Sequence, residues 1–392
     1  MYVITNGRLI TEDTVLHGYD LLIEEDRITK IAPKGEIKFE EGMEIINAAG
    51  GYVSPGFIDI HSDYIEHMAA PRPTSLMNFD LSLRETEKQL IAHGITTMFH
   101  SLSLFKETEY DYKPIREPEN VRKFIDLIGQ SHSRKHLVRH RFHARFEIDN
   151  VEEIDNLKNY IRENKVHLVS FMDHTPGQGQ YRHLEVYRKT VKSYNNISDA
   201  SIDVLIRNHQ TKEKLSIEDM KEIAALAQDY QIAIASHDDD TLEKLELVHS
   251  FGTTISEFPI TLEVAKRARN LGMFTTAGAP NVLLGGSHSG NLGAAEAIQN
   301  QAIDILCSDY YPAAMLHAIF TLVNEYDMDL TDMMKLVTLN PAKAVKMDYE
   351  IGSIREGKKA DMLIIENISG DFPVITGVFV DGKLIQKTNY RL

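Results

Sequence analysis

Eight short apolar runs, most of them separated by stretches with helical periodicity, fill the middle of this 392-residue chain. They are Phe57–His61, Ile95–Ser101, Arg141–Glu147, His167–Asp173, Gln231–His237, Thr253–Glu257, Met273–Thr276 and Ile303–Ser308. Parallel strands need a crossover of a dozen or more residues between them, and a helix is the usual one. Strands alternating with helices therefore predict a parallel α/β fold, and eight such units predict a (β/α)8 barrel. The helical patterns are clearest at Leu83–His93, Val121–Ser131, Ser216–Asp229, Leu262–Leu271 and Leu330–Leu339. Gly94 and Gly272 follow two of them, where a glycine stop belongs.

The two ends of the chain differ from this middle. Short alternating runs at Tyr2–Ile4, Leu21–Glu24, Arg27–Ala32 and Glu44–Asn47 are split by turn signals at Asn6-Gly7, His17-Gly18, Pro33 and Gly35. Met362–Glu366, Val374–Val380 and Leu384-Ile385 echo them, the last two joined through Asp381-Gly382, a strong hairpin signal. The expected organisation is a small β-sandwich made of residues 1–52 and 350–392 around a barrel of residues 53–349. Two connections are long: residues 102–140, ending in the basic stretch Arg134, Lys135, His136, Arg139 and His140, and residues 174–230. Long loops at the C-terminal face of a barrel are where substrates are handled.

Composition narrows the class. Hydrophobic residues at 43% and charged residues at 26% are those of an ordinary globular protein. No apolar run reaches the ~18–20 residues of a membrane span, and no signal peptide is evident. A formal charge of −16 argues against nucleic-acid binding. The single cysteine, Cys307, excludes an intrachain disulfide and suits the cytoplasm; its position reads as a small buried hydrophobe.

Six potential metal ligands stand at or just past the ends of the predicted strands: His61, Asp63, Glu147, His174, His237 and Asp309. Each alone has an ordinary explanation. A histidine closing an apolar strand is usually a satisfied core residue, and Glu147 a solvated strand end. A barrel, however, gathers its strand ends on one face, so ligands scattered in sequence converge. His61 and Asp63, at i and i+2 of an extended segment, can reach one metal. Asp309 is also the candidate general base, because a carboxylate at that depth must be paired or poised.

The segment Gly278–Asn291 (G-A-P-N-V-L-L-G-G-S-H-S-G-N) reads as a Gly/Ser-rich loop after the seventh strand. Backbone N–H groups near Gly285, Gly286, Ser287, Ser289, Gly290 and Asn291, with a helix predicted at Asn291–Asn300, suit a phosphate. His288 in the same loop is a candidate acid or phosphate donor. Arg72, Arg182, His183 and Arg145 are further side chains able to meet an anion.

Taken together these motifs resemble the amidohydrolase superfamily: S-P-G-F-I-D-I-H-S-D at residues 54–63, G-I-T-T at 94–97, and N-P-A-K-A followed by I-G-S-I-R-E-G-K-K-A-D at 340–361. F-M-D-H-T-P-G-Q-G-Q, A-S-H-D-D, E-F-P-I-T, the 278–291 segment and C-S-D-Y-Y-P are similar to its phosphonate-utilisation branch. The resemblance implies one or two divalent metal ions, zinc first with manganese or iron as alternatives. It also implies hydrolysis of a ribose 1-methylphosphonate 5-triphosphate to the 5-phosphate and pyrophosphate, on a small phosphorylated substrate with no nucleic-acid or membrane partner. Barrels of this type commonly associate as homo-oligomers. Two features depart from the superfamily pattern: H-x-D replaces H-x-H, and no lysine stands at a strand end as a bridge, which leaves Glu147 for that role. A deaminase or deacylase acting on an amide or amino-substituted ring is the competing enzymatic expectation. A binding scaffold without catalysis is the third, and six ligand-type residues speak against it.

Overall fold

The computed structural model describes residues 1–72, 74–104, 113–194, 197–287 and 290–391. The N-terminal strands are β1 (Tyr2–Ile10), β2 (Val15–Glu24), β3 (Arg27–Pro33), β4 (Glu44–Asn47) and β5 (Tyr52–Pro55). Eight strands follow, β6 (Phe57–Ser62), β7 (Ile95–Leu104), β8 (Arg139–Glu147), β9 (Leu168–Met172), β10 (Ala233–His237), β11 (Ile255–Glu257), β12 (Phe274–Gly278) and β13 (Ile305–Cys307). The chain ends with β14 (Met362–Ile368), β15 (Phe372–Val380) and β16 (Lys383–Lys387).

β6 to β13 pair in sequence order, all parallel. Helical segments lie on most of the connections, and a parallel bridge between Ser62 and Asp309 joins the first strand to the last. All eight predicted barrel strands are present. Side chains of alternate strand residues fill the barrel: Ile58, Ile60, Phe99, Leu168, Ala233, Ala235, Ile255 and Ile305 form one buried cluster with Ala342, Ala344 and Ile351. That apolar layer sits below the strand ends. Two residues further along the same faces buried polar side chains appear, at Ser170, His237 and Glu257.

The strands of both termini join in one further sheet, ordered β16-β15-β14-β5-β1-β2-β3, with β4 also on β1. The branch at β1 arises because its first half pairs with β4 and its second half with β5. Asn6-Gly7 and His17-Gly18 are not turns. β1 and β2 run straight through them, with register shifts around Gly7 and positive φ at Asn6 and Gly18. A bulge accommodates the same backbone preference that suggested a turn. Asp381-Gly382 is the expected hairpin; Gly382 has φ +72°, and a Cβ there would stand 2.0 Å from the Glu25 carbonyl oxygen.

Between the two units, β5 runs into β6 through Gly56, where a Cβ would meet Thr96 Oγ1 at 2.3 Å. Arg139, at the start of β8, donates to Asp361 Oδ2 at 2.8 Å, Asp381 Oδ1 at 2.7 Å and Thr97 Oγ1 at 2.9 Å. Part of the basic stretch predicted to face substrate is therefore a buried tie between barrel and terminal sheet. Helix starts follow their caps: the Ser216 side chain accepts from Asp219 N–H in a reciprocal capping box, and Asn78, Thr241 and Thr261 cap the helices at 79–92, 242–250 and 262–270. The expected helix at 330–339 is two, Leu330–Lys335 and Leu339–Ala344. No described helix is long and apolar enough to cross a membrane.

Candidate metal centre

Barrel closure brings the first and last predicted ligands together. Asp309 N–H donates to the His61 carbonyl at 3.1 Å, and Asp63 N–H to the Asp309 carbonyl at 3.0 Å. Glu147 ends β8, His237 ends β10, Glu257 ends β11, and His174 follows β9 by two residues. Asp238, Phe258 and Asp309, each just past a strand, adopt φ of +53°, +54° and +57°. Such backbone costs a residue with a side chain about 1–2 kcal/mol, and it concentrates where side chains are aimed at a site.

Two overlapping groups of ligand-type atoms result. His61, His237 and Glu257 form one; His174, His237 and Asp238 form the other, each with its atoms within 4.8 Å of one another. Glu147 Oε1 joins the second group through His174 Nδ1 at 2.5 Å. His237 is the shared member. Among the described residues, neither of its buried ring nitrogens has a hydrogen-bond partner, nor does the buried Asp238 Oδ2. His237 Nδ1 and Asp238 Oδ2 are 2.9 Å apart but off the axis a hydrogen bond requires. A buried imidazole and carboxylate left with open lone pairs are costly unless a cation takes them. Nitrogen and oxygen donors in this mixture suit a divalent metal, so the residues fit the ion that the sequence implied.

Electrostatics separate the members. Burial alone would raise the Asp238 pKa, but the adjacent His237, followed by His174 and Lys244, holds it down at about 2. Burial also works against the His174 imidazolium, yet Glu147 outweighs it and the His174 pKa rises. Asp309 is pushed up to about 7, first by burial and then by the charge of Asp63. Asp63 rises for the same first reason and through Glu66, a buried carboxylate held by Arg116 at 2.9–3.0 Å. The half-buried Arg145 guanidinium opposes both rises, and among the described residues it donates only to Met172 Sδ, at 3.1 Å.

The substrate-side expectations divide. Arg72 and His183 are exposed, and Arg182 is half-buried, its Nε without a partner among the described residues. Residues 279–283 are a short helix, not loop, because Ala279, Pro280 and Val282 pack into the core. The helix predicted at 291–300 spans Ala294–Gln299, and the Asn281 side chain already takes the Ala294 N–H at 2.9 Å. The N–H groups of Gly285, Gly286 and Gly290 donate to the carbonyls of Val282, Asn281 and Ser287. These glycines fold the loop on itself, so the backbone nest expected there is largely occupied internally. Among the described residues the buried Asn291 Oδ1 has no partner. His288 and Ser289 lie outside the described residues.

Sequence reasoning passed over Asp238 and Glu257. The signal existed for both: Glu257 ends a strand as His237 does, and Asp238 follows a ligand directly.

Comparison with known proteins finds a relative along nearly the whole chain. The chain is 33% identical over 371 residues to α-D-ribose 1-methylphosphonate 5-triphosphate diphosphatase of Escherichia coli (strain K12), covering 92% of this chain and 94% of that one. A family model described as the amidohydrolase family matches residues 208–385. The chain belongs to the amidohydrolase family. Adenine deaminase of Ruegeria sp. (strain TM1040) is 32% identical, but over 25% of this chain and 14% of its own length. Among solved structures, A. niger ochratoxinase superposes with a TM-score of 0.67 at 13% identity, covering 99% of this chain and 96% of its own. N-acetylglucosamine-6-phosphate deacetylase from Pasteurella multocida gives 0.64 at 13% identity, covering 98% and 100%. At that identity the two establish the amidohydrolase fold and nothing finer.

Proposed function

We propose that this amidohydrolase hydrolyses α-D-ribose 1-methylphosphonate 5-triphosphate to the corresponding 5-phosphate and pyrophosphate. The observation that carries this reading is similarity to the diphosphatase along nearly the whole length of both chains. Amide-hydrolysing and deaminating relatives such as adenine deaminase match a quarter of the chain or less. The chemistry belongs to a barrel domain of residues 53–349, with residues 1–52 and 350–392 as its composite companion.

When bound, a divalent ion supplies Lewis acidity and a water nucleophile at neutral pH. His61, Glu147, His174, His237 and Asp238 would hold it, with Asp63 and Asp309 at the seam where the barrel closes. Zinc, manganese and iron all suit such mixed donors. Asp309, titrating near neutrality, is suited to take the proton of the attacking water. Its Oδ2 faces Gly278, where a Cβ would stand 3.4 Å away. Arg145 is a cation within the mouth, placed to offset charge on the triphosphate. Arg72, Arg182, His183, Ser287 and Asn291 are the outer candidates for phosphate contact. The free, buried Cys307 suits a reducing cytoplasm.

Protein supplied with Zn(II) or Mn(II) is expected to release pyrophosphate from the ribose 5-triphosphate, and chelator to abolish it. Metal-loaded protein that forms no pyrophosphate from any 5-triphosphate, while releasing ammonia from an aminopurine, would overturn the proposal.

A further inference from the structure

Glu257 is fully buried, and both its carboxylate oxygens are engaged. Oε2 lies 2.6 Å from Ser170 Oγ, and Oε1 lies 2.8 Å from His61 Nδ1. A carboxylate only accepts, so at these distances the protons come from Ser170 and from His61. Ser170 has one proton, and with it given to Glu257 its oxygen can only accept from His143 Nε2, 2.7 Å away. The buried His143 therefore carries its proton on Nε2. Its Nδ1 then accepts from Ser101 Oγ at 3.0 Å, which in turn receives the Ser62 N–H at 3.0 Å. One contact argues the other way. The Ile60 carbonyl also lies 3.0 Å from His143 Nδ1 and would favour a proton there. That tautomer would draw the Ser170 proton toward His143, leaving two acceptor oxygens 2.6 Å apart with nothing between them. The shorter contact decides.

We propose that Glu257 is a positioning residue: fed by the proton chain Ser101–His143–Ser170, it locks His61 as the Nδ1–H tautomer. The Nε2 lone pair of His61 is then presented to the metal, and Glu257 is not itself a ligand. Carboxylates behind metal-binding histidines act in this way, and their loss typically costs 10–100-fold in metal affinity. The proposal rests on the metal-centre reading for its purpose, but not for its tautomers, which exist without metal.

The chain is also reversible in one direction. In Glu257→Gln the carboxamide oxygen can still accept from His61, while its NH2 donates to Ser170. Ser170 must then donate to His143 Nε2, and the His143 proton moves to Nδ1, where the Ile60 carbonyl accepts it. His61 keeps its tautomer. An apolar side chain of similar length, Glu257→Leu, offers His61 nothing.

Ring-nitrogen NMR on metal-free protein tests the tautomers, with signals assigned through His61→Asn and His143→Asn. The expected result is Nδ1–H on His61 and Nε2–H on His143 in the unmutated protein. Glu257→Gln should invert His143 alone. His61 found as Nε2–H, or His143 unmoved in Glu257→Gln, overturns the proposal whatever the enzyme's substrate. Zn(II) affinity, measured by competition with a chromogenic chelator, should fall roughly 10–100-fold in Glu257→Leu and less in Glu257→Gln. In a His61→Ala background Glu257→Leu should cost nothing further. An equal second loss there would make Glu257 a ligand in its own right and overturn the positioning role. If Glu257→Leu does not fold, Glu257→Gln and the two tautomers carry the test.

Discussion

Strand β8 begins with Arg139 and ends with Glu147, and its two ends obey opposite electrostatic rules. At the first, a buried guanidinium is paired with Asp361 and Asp381 and also donates to Thr97. At the second, Glu147 touches His174 within a cluster whose shared member, His237, has no hydrogen bond on either ring nitrogen among the described residues. Both ends hold charge away from water. One is complete as it stands, and the other leaves buried polar atoms without partners among the described residues. Here the satisfied charge makes a structural joint, and the unpartnered atoms at the other end fit a cation. In a barrel the two fall on opposite faces, stability at the bottom and chemistry at the top.

The largest effect is expected at the mouth. His237→Ala should lower pyrophosphate release by more than the roughly 100-fold typical of changes behind the metal ligands. Its thermal midpoint without metal should fall little, by no more than the packing of the ring against His61, His174 and Phe258, since neither ring nitrogen makes a hydrogen bond among the described residues. A clear fall in the metal-free midpoint would break the comparison, by showing that His237 is structural too. Next comes the opposite face. Arg139→Met leaves Asp361 buried without its cation, and should cost about 3–5 kcal/mol in denaturant unfolding. Its KM should be unaltered, and a raised KM would mean that the basic stretch does reach substrate.

Gly56→Ala probes the joint between sheet and barrel without touching charge. Overpacking against Thr96 should cost about 1–3 kcal/mol, and Thr96→Ala should restore part of it. Equal stability of Gly56→Ala and the unmutated protein would show that the β5–β6 passage can shift.

The smallest effect is a pH dependence. Burial would raise the Asp381 pKa, but Arg139 and Lys359 outweigh it and hold it below the usual carboxylate range. A folded pKa below the unfolded value of about 3.9 contributes stability above that pH, lost as pH falls through the folded value. Asp381→Asn should therefore be less stable at neutral pH, by under about 1 kcal/mol because the side chain is partly exposed. The difference should begin to close near pH 4 and vanish once pH falls below the lower folded value, and one that stays constant throughout would assign it to packing.

Much of this was legible along the chain. Apolar runs with helical spacers gave all eight barrel strands, since a strand buried on both faces must be apolar. Asp381-Gly382 gave its hairpin because the turn needs positive φ, whereas Asn6-Gly7 carries the same preference and forms a bulge. Local sequence reports the backbone angle there, and pairing decides its use. The Gly278–Asn291 segment misled in a similar way. Glycines suggested free N–H groups, but the Asn281 side chain and the loop's own carbonyls claim several of them, a matter of contacts up to 13 residues apart.

Sequence by itself determined the parallel barrel, the β-rich termini and a set of ligand-type side chains at strand ends, because periodicity and residue chemistry are local properties. Only the tertiary structure decided which of those side chains come close enough to hold one cation. Asp238 entered through a left-handed turn, and Arg139 left the substrate face for an ion pair spanning 222 positions. Glu257 moved from an unremarked strand end to the carboxylate behind His61, 196 positions away. Each of those outcomes depends on which buried polar atoms find partners, and partners are chosen by closure of the barrel.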